Sequence, residues 1–360
     1  MKVTIVNFYG KGGMLYYATA LANAVSHHCS TRLVLPEKPS GSYPGLNDNV
    51  ELVQVRVPED FSRKNLIRLP YYLAKFPSLV HEVLKGNPDI VHFTNENIWL
   101  TGLALFVSSR LVWTLHDPLP HSGDSLRKKL AMKMLAKLSK KIFVHYRFNS
   151  EIAVQAGIDP SKLVVIPHGD YNFYEKYKRS DTKTRRMILF WGRIRPYKGV
   201  GTLIECARLL PGDVEIVIAG EGAGIYESSV EGASQIKLID RFLDEKEIAE
   251  LCQECSVVVT PYIDASQSGI VPVAYAFSKP VVSTNVGALP EQVEDGVTGL
   301  LVPPAKPARL AEAIMKIVDD PVLAERMGKA GYRKSHTDMA WDSIADKVCL
   351  TYESVLARLQ

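Results

Sequence analysis

Arg193 and Lys198 stand five apart in Gly192-Arg193-x4-Lys198-Gly199, directly after the apolar run 187–191. A guanidinium and an ammonium fixed at the carboxyl end of a buried parallel strand, just ahead of a helix, make a site for a diphosphate. Gly192 lets the chain leave the strand, and Pro196 stiffens the turn that follows. A solvated basic loop has the same composition. The context of strand, glycine, Arg-x4-Lys, glycine and helix favours the anion site.

A second stretch has the same logic. After the apolar residues 257–261 come Asp264, Ser266, Gln267 and Ser268, and a helix is expected to begin near Ser268–Gly269. Free amides at that start would bind phosphate, and the Ser and Gln side chains would add hydrogen bonds. A plain helix cap is the alternative. Ala219-Gly220-Glu221-Gly222 ends another strand, with its glycines and carboxylate placed to read a ligand's polar groups.

In the first half, Gly10-x-Gly12-Gly13 precedes a helix and would let a ligand approach backbone amides. It lacks the Lys-Ser/Thr of a P-loop. His116 ends the strand 111–115 and leads into a loop stiffened by Pro118 and Pro120, with His121 beyond. Its functional reading is a group facing a ligand cleft. Its structural reading is a histidine capping a backbone carbonyl. Cys252-x-x-Cys255 has no second pair and reads as packing.

The elements that must hold these residues follow from the apolar pattern. Strands are expected at 3–7, 32–35, 51–57, 89–93, 111–115, 141–145 and 163–166, and again at 187–191, 215–219, 236–238, 257–261, 280–284 and 299–302. Helical patterns fill most gaps, among them 14–26, 202–210, 245–255, 271–277 and 308–319. Alternation of this kind implies parallel sheets covered on both faces. The expected architecture is α/β, with two doubly wound Rossmann-like domains facing across a cleft. Residues 1–170 form the first, the charged stretch 171–186 a linker, and 187–340 the second.

The chain has 360 residues, 46% hydrophobic and 23% charged, ample for two cored domains. Five scattered cysteines suit a reducing compartment. Residues 1–6 run straight into a strand, so no secretory leader is expected, and no apolar run approaches the ~20 residues of a membrane span. The expected location is cytoplasmic. Net charge is +4 but uneven: the first 168 residues carry 20 Lys and Arg against 12 Asp and Glu, and the remainder 23 against 27. The segment 125–141 reads as a basic amphipathic helix with Leu126, Leu130, Met134, Leu135 and Leu138 inward. It points modestly toward anionic lipid headgroups, hence a peripheral place on the membrane's inner face. Arg63, Lys64, Arg68 and Lys75 support that weakly.

Together these residues resemble the retaining glycosyltransferases of the GT-B fold, most closely glycosyltransferase family 4 (group 1). Gly192-Arg193-x4-Lys198-Gly199, Ala219-Gly220-Glu221-Gly222, Lys279-Pro-Val-Val through Glu291, and Glu294-Asp-Gly carry the resemblance, which covers nearly the whole chain. It implies a nucleotide-sugar donor held mainly by the second domain. Arg193 and Lys198 would hold its diphosphate, His116 would sit beside its sugar, and Gly12 and Gly13 would close over the phosphates. The C-terminal helix, 341–360, would pack back on the first domain. The basic first half and the basic helix 125–141, rather than the resemblance, point to an acceptor glycan or lipid-linked sugar, with a soluble metabolite the alternative, and no nucleic-acid partner is expected. No Asp-x-Asp pair is present, so fixed cations would stand in for a metal, and no cofactor is expected. Family members usually carry two glutamates eight apart, the second on the nucleotide ribose. Here those positions are Ala265 and Val273, with Asp264 one residue away, Glu221, Gln267, Ser268 and Gly269 nearby, and the donor base left open. A nucleotide or glycan binder without catalysis and a sugar-nucleotide epimerase are the other readings.

Overall fold

The computed structural model describes residues 1–10, 12–37, 45–57, 69–118 and 126–358. Its strands are short because each is an apolar run cut by glycine or a polar turn. They are β1 (Lys2–Val6), β2 (Ser30–Pro36), β3 (Val50–Val55), β4 (Ile90–Phe93), β5 (Leu111–Leu115), β6 (Lys141–His145) and β7 (Leu163–Ile166). They form one parallel sheet in the order β3-β2-β1-β4-β5-β6-β7. β8 (Met187–Trp191), β9 (Glu215–Ala219), β10 (Ile236–Ile239), β11 (Val257–Thr260), β12 (Val281–Thr284) and β13 (Gly299–Val302) form a second, ordered β10-β9-β8-β11-β12-β13. In both, strand order reverses beside the first strand of the sheet, between β1 and β4 and between β8 and β11. Such switch points open a crevice at the strands' carboxyl ends, where ligands of this fold class bind.

The chain divides into two units. One is Met1–Gly169 together with the C-terminal helix Trp341–Leu356, and the other is Asp170–Ala340. In the first unit one face of the sheet is covered by helix Gly13–Ser26 and by Trp341–Leu356, whose Ile344, Val348, Tyr352 and Val355 join the core. The other face is covered by helices Leu69–Leu84, Ile98–Val107 and Leu126–Leu138. Met187–Trp191 is buried along its whole length, as expected of a strand covered on both faces.

Two expectations are corrected here. The stretch 171–186 is not a linker but part of the second unit. Its charges alternate with aromatics, so Tyr171 and Tyr174 bury while the charged residues face out. Tyr174 meets Phe277 at 6.1 Å between ring centroids, and Gln253 ties down Arg179 N and Tyr177 O. In helix Leu126–Leu138 the buried residues include Ala131, Met132 and Leu135, whereas Leu130 is exposed beside Lys129, Lys133 and Lys137. Arg63, Lys64, Arg68 and His121 lie outside the described residues. Among the described residues no helix is long and apolar enough to cross a membrane.

Candidate functional site

In the second unit, four strand-to-helix turns meet through glycines that leave no room for a side chain. A Cβ on Gly220 would lie 1.9 Å from Gly192 O, one on Gly199 1.8 Å from Pro261 O, and one on Gly287 1.5 Å from Ala265 O. The turns after β8, β9, β11 and β12 are thus fixed backbone to backbone. Hydrogen bonds complete the frame: Ile194 N to Glu221 O (2.9 Å), Ile263 N to Tyr197 O (2.7 Å), and Thr284 Oγ1 to Tyr262 O (2.7 Å). Asp240 Oδ1 accepts from Gly222 N (2.7 Å) and Ala223 N (3.0 Å), so the Gly220–Gly222 turn is pinned as well.

Arg193 and Lys198 ride on this frame. Arg193 is exposed, and neither it nor Lys198 has a carboxylate partner among the described residues. Other arginines of the unit do: Arg185 with Glu215 and Glu254, Arg186 with Asp213 and Asp319, and Arg241 with Glu247. Lys198 is half-buried with its Nζ 3.9 Å from the centroid of the buried Tyr262 ring. The aromatic face steadies the ammonium without neutralising it. An unneutralised cation pair on a rigid turn is what a multiply charged anion needs.

The turn after β11 differs from expectation. Ser268 is buried and closed to a phosphate. Its amide donates to Gln292 Oε1 (2.7 Å), its carbonyl accepts from Gln292 Nε2 (2.9 Å), and its hydroxyl lies 3.0 Å from Tyr262 OH. Ile270 N donates to Ser268 Oγ and Pro272 has no N–H, so the helix start offers at most the Gly269 and Val271 amides. Gly269 is already helical at φ −72°. Gln267 Oε1 is buried without a hydrogen-bond partner. Asp264 and Glu221 are exposed at the rim. Ala265 and Val273 are both buried.

In the first unit the β1 turn is shaped by two asparagines that sequence reasoning missed. Asn7 Oδ1 accepts from Tyr9 N, and its Nδ2 donates to Met14 O (2.9 Å). Asn95 Oδ1 accepts from Phe8 N (3.1 Å), while its buried Nδ2 has no partner. The signal was available at Asn7, since asparagine after a strand commonly bonds its own backbone two residues on. Gly12 caps helix Gly13–Ser26 at φ +70°, a backbone conformation that favours glycine.

His116 is buried at the end of β5. Its Nε2 donates to Thr94 O (3.0 Å), the carbonyl-capping role, and His145 Nε2 lies 3.2 Å from its Nδ1. That pattern requires the Nε2-protonated tautomer at His116, with His145 as the donor to it. His168 completes a cluster around Tyr17, whose ring centroid is 4.6 Å from His116 and 5.2 Å from His145. Burial pushes His116 and His168 down to about 4 and His145 well below its usual value. His92, bonded to Tyr352 OH and Thr114 Oγ1, is pushed down to about 3 by the same cause. These imidazoles are neutral in the folded protein at pH 7. Unfolded, they would take up protons near pH 6.5. Stability is therefore full above about pH 6.5 and is lost as pH falls toward 4, by up to about 1.4 kcal/mol per pH unit for each histidine. The melting temperature should fall between pH 7 and pH 5 and be flat from pH 7 to 8. A flat profile throughout would show that the cluster is solvated.

A cavity of about 590 Å³ lies at the opposite, amino ends of the second unit's strands. Arg186 there is paired, and Lys279 Nζ is held by Gln253 O and Cys255 O, so its lining offers no free charge to a ligand from these two residues.

Comparison with known proteins gives the family and the fold. The family described as Glycosyl transferases group 1 matches residues 174–334, and Glycosyltransferase Family 4 matches residues 11–169. The chain is 30% identical over 303 residues to the MMP alpha-(1->4)-mannosyltransferase of Mycolicibacterium hassiacum, covering 76% of this chain and 72% of that one. It is 27% identical over 315 residues to the alpha-maltose-1-phosphate synthase of Mycolicibacterium smegmatis, covering 76% and 81%. Among solved structures, Anabaena Alr3699/HepE in complex with UDP and glucose superposes with TM-score 0.77 at 19% identity, over 98% of this chain and 100% of that one. The structural likeness carries the GT-B pair of Rossmann-like sheets.

Proposed function

The chain is a group 1, family 4 glycosyltransferase, and on that premise we propose that it moves one sugar from a nucleoside-diphosphate sugar to an acceptor hydroxyl with retention at the anomeric carbon. One observation carries the reading: Arg193 and Lys198 are cations without carboxylate partners among the described residues, on a turn clamped by Gly199 against Pro261. As the glycosyl–oxygen bond breaks, negative charge grows on the departing diphosphate. Cations held in place beforehand stabilise that charge without reorganisation. The Gly269 and Val271 amides add donors, and the unpaired Gln267 Oε1 is available to a ligand hydroxyl or amide. His116, buried in the first unit with its ring nitrogens engaged by Thr94 O and His145, is a fixed neutral imidazole that offers a sugar no free nitrogen. The acceptor is proposed to be a lipid-linked glycan or polysaccharide precursor reached from the cytoplasmic membrane face, the basic helix Leu126–Leu138 meeting anionic headgroups. A divalent metal is not required in this reading, because fixed cations do its work.

Burial of Ala265 and Val273, where the family usually places glutamates, favours one competing reading: a nucleotide or glycan binder without turnover. Incubation with UDP-, GDP-, ADP- and TDP-sugars in EDTA separates them. At least one donor should raise the melting temperature and release free nucleoside diphosphate slowly, at a rate the chelator leaves unchanged. Binding without release would establish the binder. Release abolished by EDTA and restored by Mg²⁺ or Mn²⁺ would overturn the metal-free step.

A further inference from the structure

Helix Ile98–Val107 (Ile-Trp-Leu-Thr-Gly-Leu-Ala-Leu-Phe-Val) has almost no polar residue on any side. A helix apolar all round is normally buried all round. This one buries Leu100, Leu103, Ala104 and Val107 against the sheet, yet Leu105 and Phe106 are each 59% exposed. Its neighbours on the same face repeat the anomaly. Leu73 of helix Leu69–Leu84 is 57% exposed, and Leu130 of helix Leu126–Leu138 is 56% exposed. Phe76 joins the first two helices, meeting Phe106 at 6.2 Å between centroids and leaving a Gly102 Cβ only 3.1 Å of clearance.

The charges on these helices are one-sided. Lys75, Lys129, Lys133 and Lys137 are exposed, Arg127 and Lys128 add to them in sequence, and Glu82 is the single carboxylate residue of the three. On helix Leu126–Leu138 the exposed Leu130 shares the outward side with Lys133 and Lys137, because positions three and seven apart align. Exposed large apolar side chains on helices whose charged residues are almost all cations match the boundary of an anionic bilayer, with the apolar groups entering the acyl edge and the ammonium groups at the phosphates. A second copy of the chain is a poor occupant, since a twofold contact would set this basic surface against itself.

We infer that the outer surface of these three helices inserts Leu105, Phe106 and Leu130 into an anionic lipid interface. Charge alone does not make this contact: the apolar helix Ile98–Val107 contributes to it. The inference extends the lipid-contact part of the proposed function and does not require the acceptor to be lipid-linked.

The test is cosedimentation of the full chain with phosphatidylcholine vesicles, with and without about one-third phosphatidylglycerol, in the absence of donor or acceptor, so that it reads the surface independently of the sugar transferred. Binding should need the anionic lipid, and a fraction should persist in about 0.5 M NaCl, where exposed charges are screened within a few ångströms. The charge-neutral variant Leu105→Ser/Phe106→Ser/Leu130→Ser should bind about tenfold more weakly and lose the salt-resistant fraction. Lys129→Gln/Lys133→Gln/Lys137→Gln should lose the salt-sensitive fraction. All substituted side chains are exposed, so melting temperatures should match the parent, and the single Phe106→Ser variant serves if the triple does not. Failure of the parent to bind anionic vesicles overturns the inference. So does binding by the serine variant equal to the parent's. A solution dimer abolished by the serine changes would assign the surface to self-association instead and overturn it as well.

Discussion

Arg193→Ala is expected to lower turnover about 100- to 1,000-fold, the loss that follows when one preorganised charge of about 3–4 kcal/mol is taken from a developing anion. Its melting temperature should stay within the range of an exposed substitution, since Arg193 is exposed and has no ion pair to break among the described residues. Lys198→Ala should cost turnover on the same scale. It should also cost stability slightly, by about 0.5–1 kcal/mol, because its ammonium rests on the Tyr262 ring. Lys198→Arg keeps the charge but not the compact ammonium, and should recover only part of the rate. Arg185→Ala gives the opposite pattern. Arg185 bridges Glu215 and Glu254 at the amino ends of the strands, so its loss should lower the melting temperature and spare the rate. Steady-state kinetics and thermal melting on the four variants check this double dissociation. Near-parental rates in both Arg193→Ala and Lys198→Ala would refute the diphosphate role.

That contrast rests on features with unequal visibility in the sequence. The strands were legible because each is an uninterrupted apolar run: 111–115, 187–191, 215–219 and 299–302 were expected at the bounds found. The turn bearing Arg193 and Lys198 was legible because glycine and proline punctuate it. Burial of Ser268 was not, because its partner Gln292 is 24 residues away and belongs to the short helix Leu289–Gln292. The histidine cluster draws its members from the ends of β5, β6 and β7, and no local pattern announces that three strands in register will place them together. Helix Leu126–Leu138 misled for a different reason. Leu130 and Leu135 are equally apolar, and which side faces the sheet was set by tertiary packing of Met132 and Leu135 into the core. The stretch 171–186 looked like a linker because its charges outnumber its aromatics, yet the aromatics decide where it packs.

Gly199→Ala is expected to damage both stability and turnover, which separates it from the cation variants. Gly199 sits at φ +67°, and a Cβ there would lie 1.8 Å from Pro261 O, far inside any real contact. The obstacle is a backbone carbonyl at the end of β11, so no side chain can rotate away. Left-handed strain of about 1–3 kcal/mol adds to an overpacking cost of about 1–3 kcal/mol, together about 2–6 kcal/mol. Relief requires the 196–199 turn and the 261–263 turn to part, and the bond from Ile263 N to Tyr197 O is the link that would stretch. Lys198 and its Tyr262 support then separate, so the rate should fall with the melting temperature. Gly232→Ala is the control. Its φ is +79° but nothing lies within 4 Å of the added Cβ, so it carries left-handed strain alone and should leave the rate unchanged. If Gly199→Ala melts no lower than Gly232→Ala and turns over normally, Pro261 does not fix the Lys198 turn, and the rigidity claimed for the cation site is wrong.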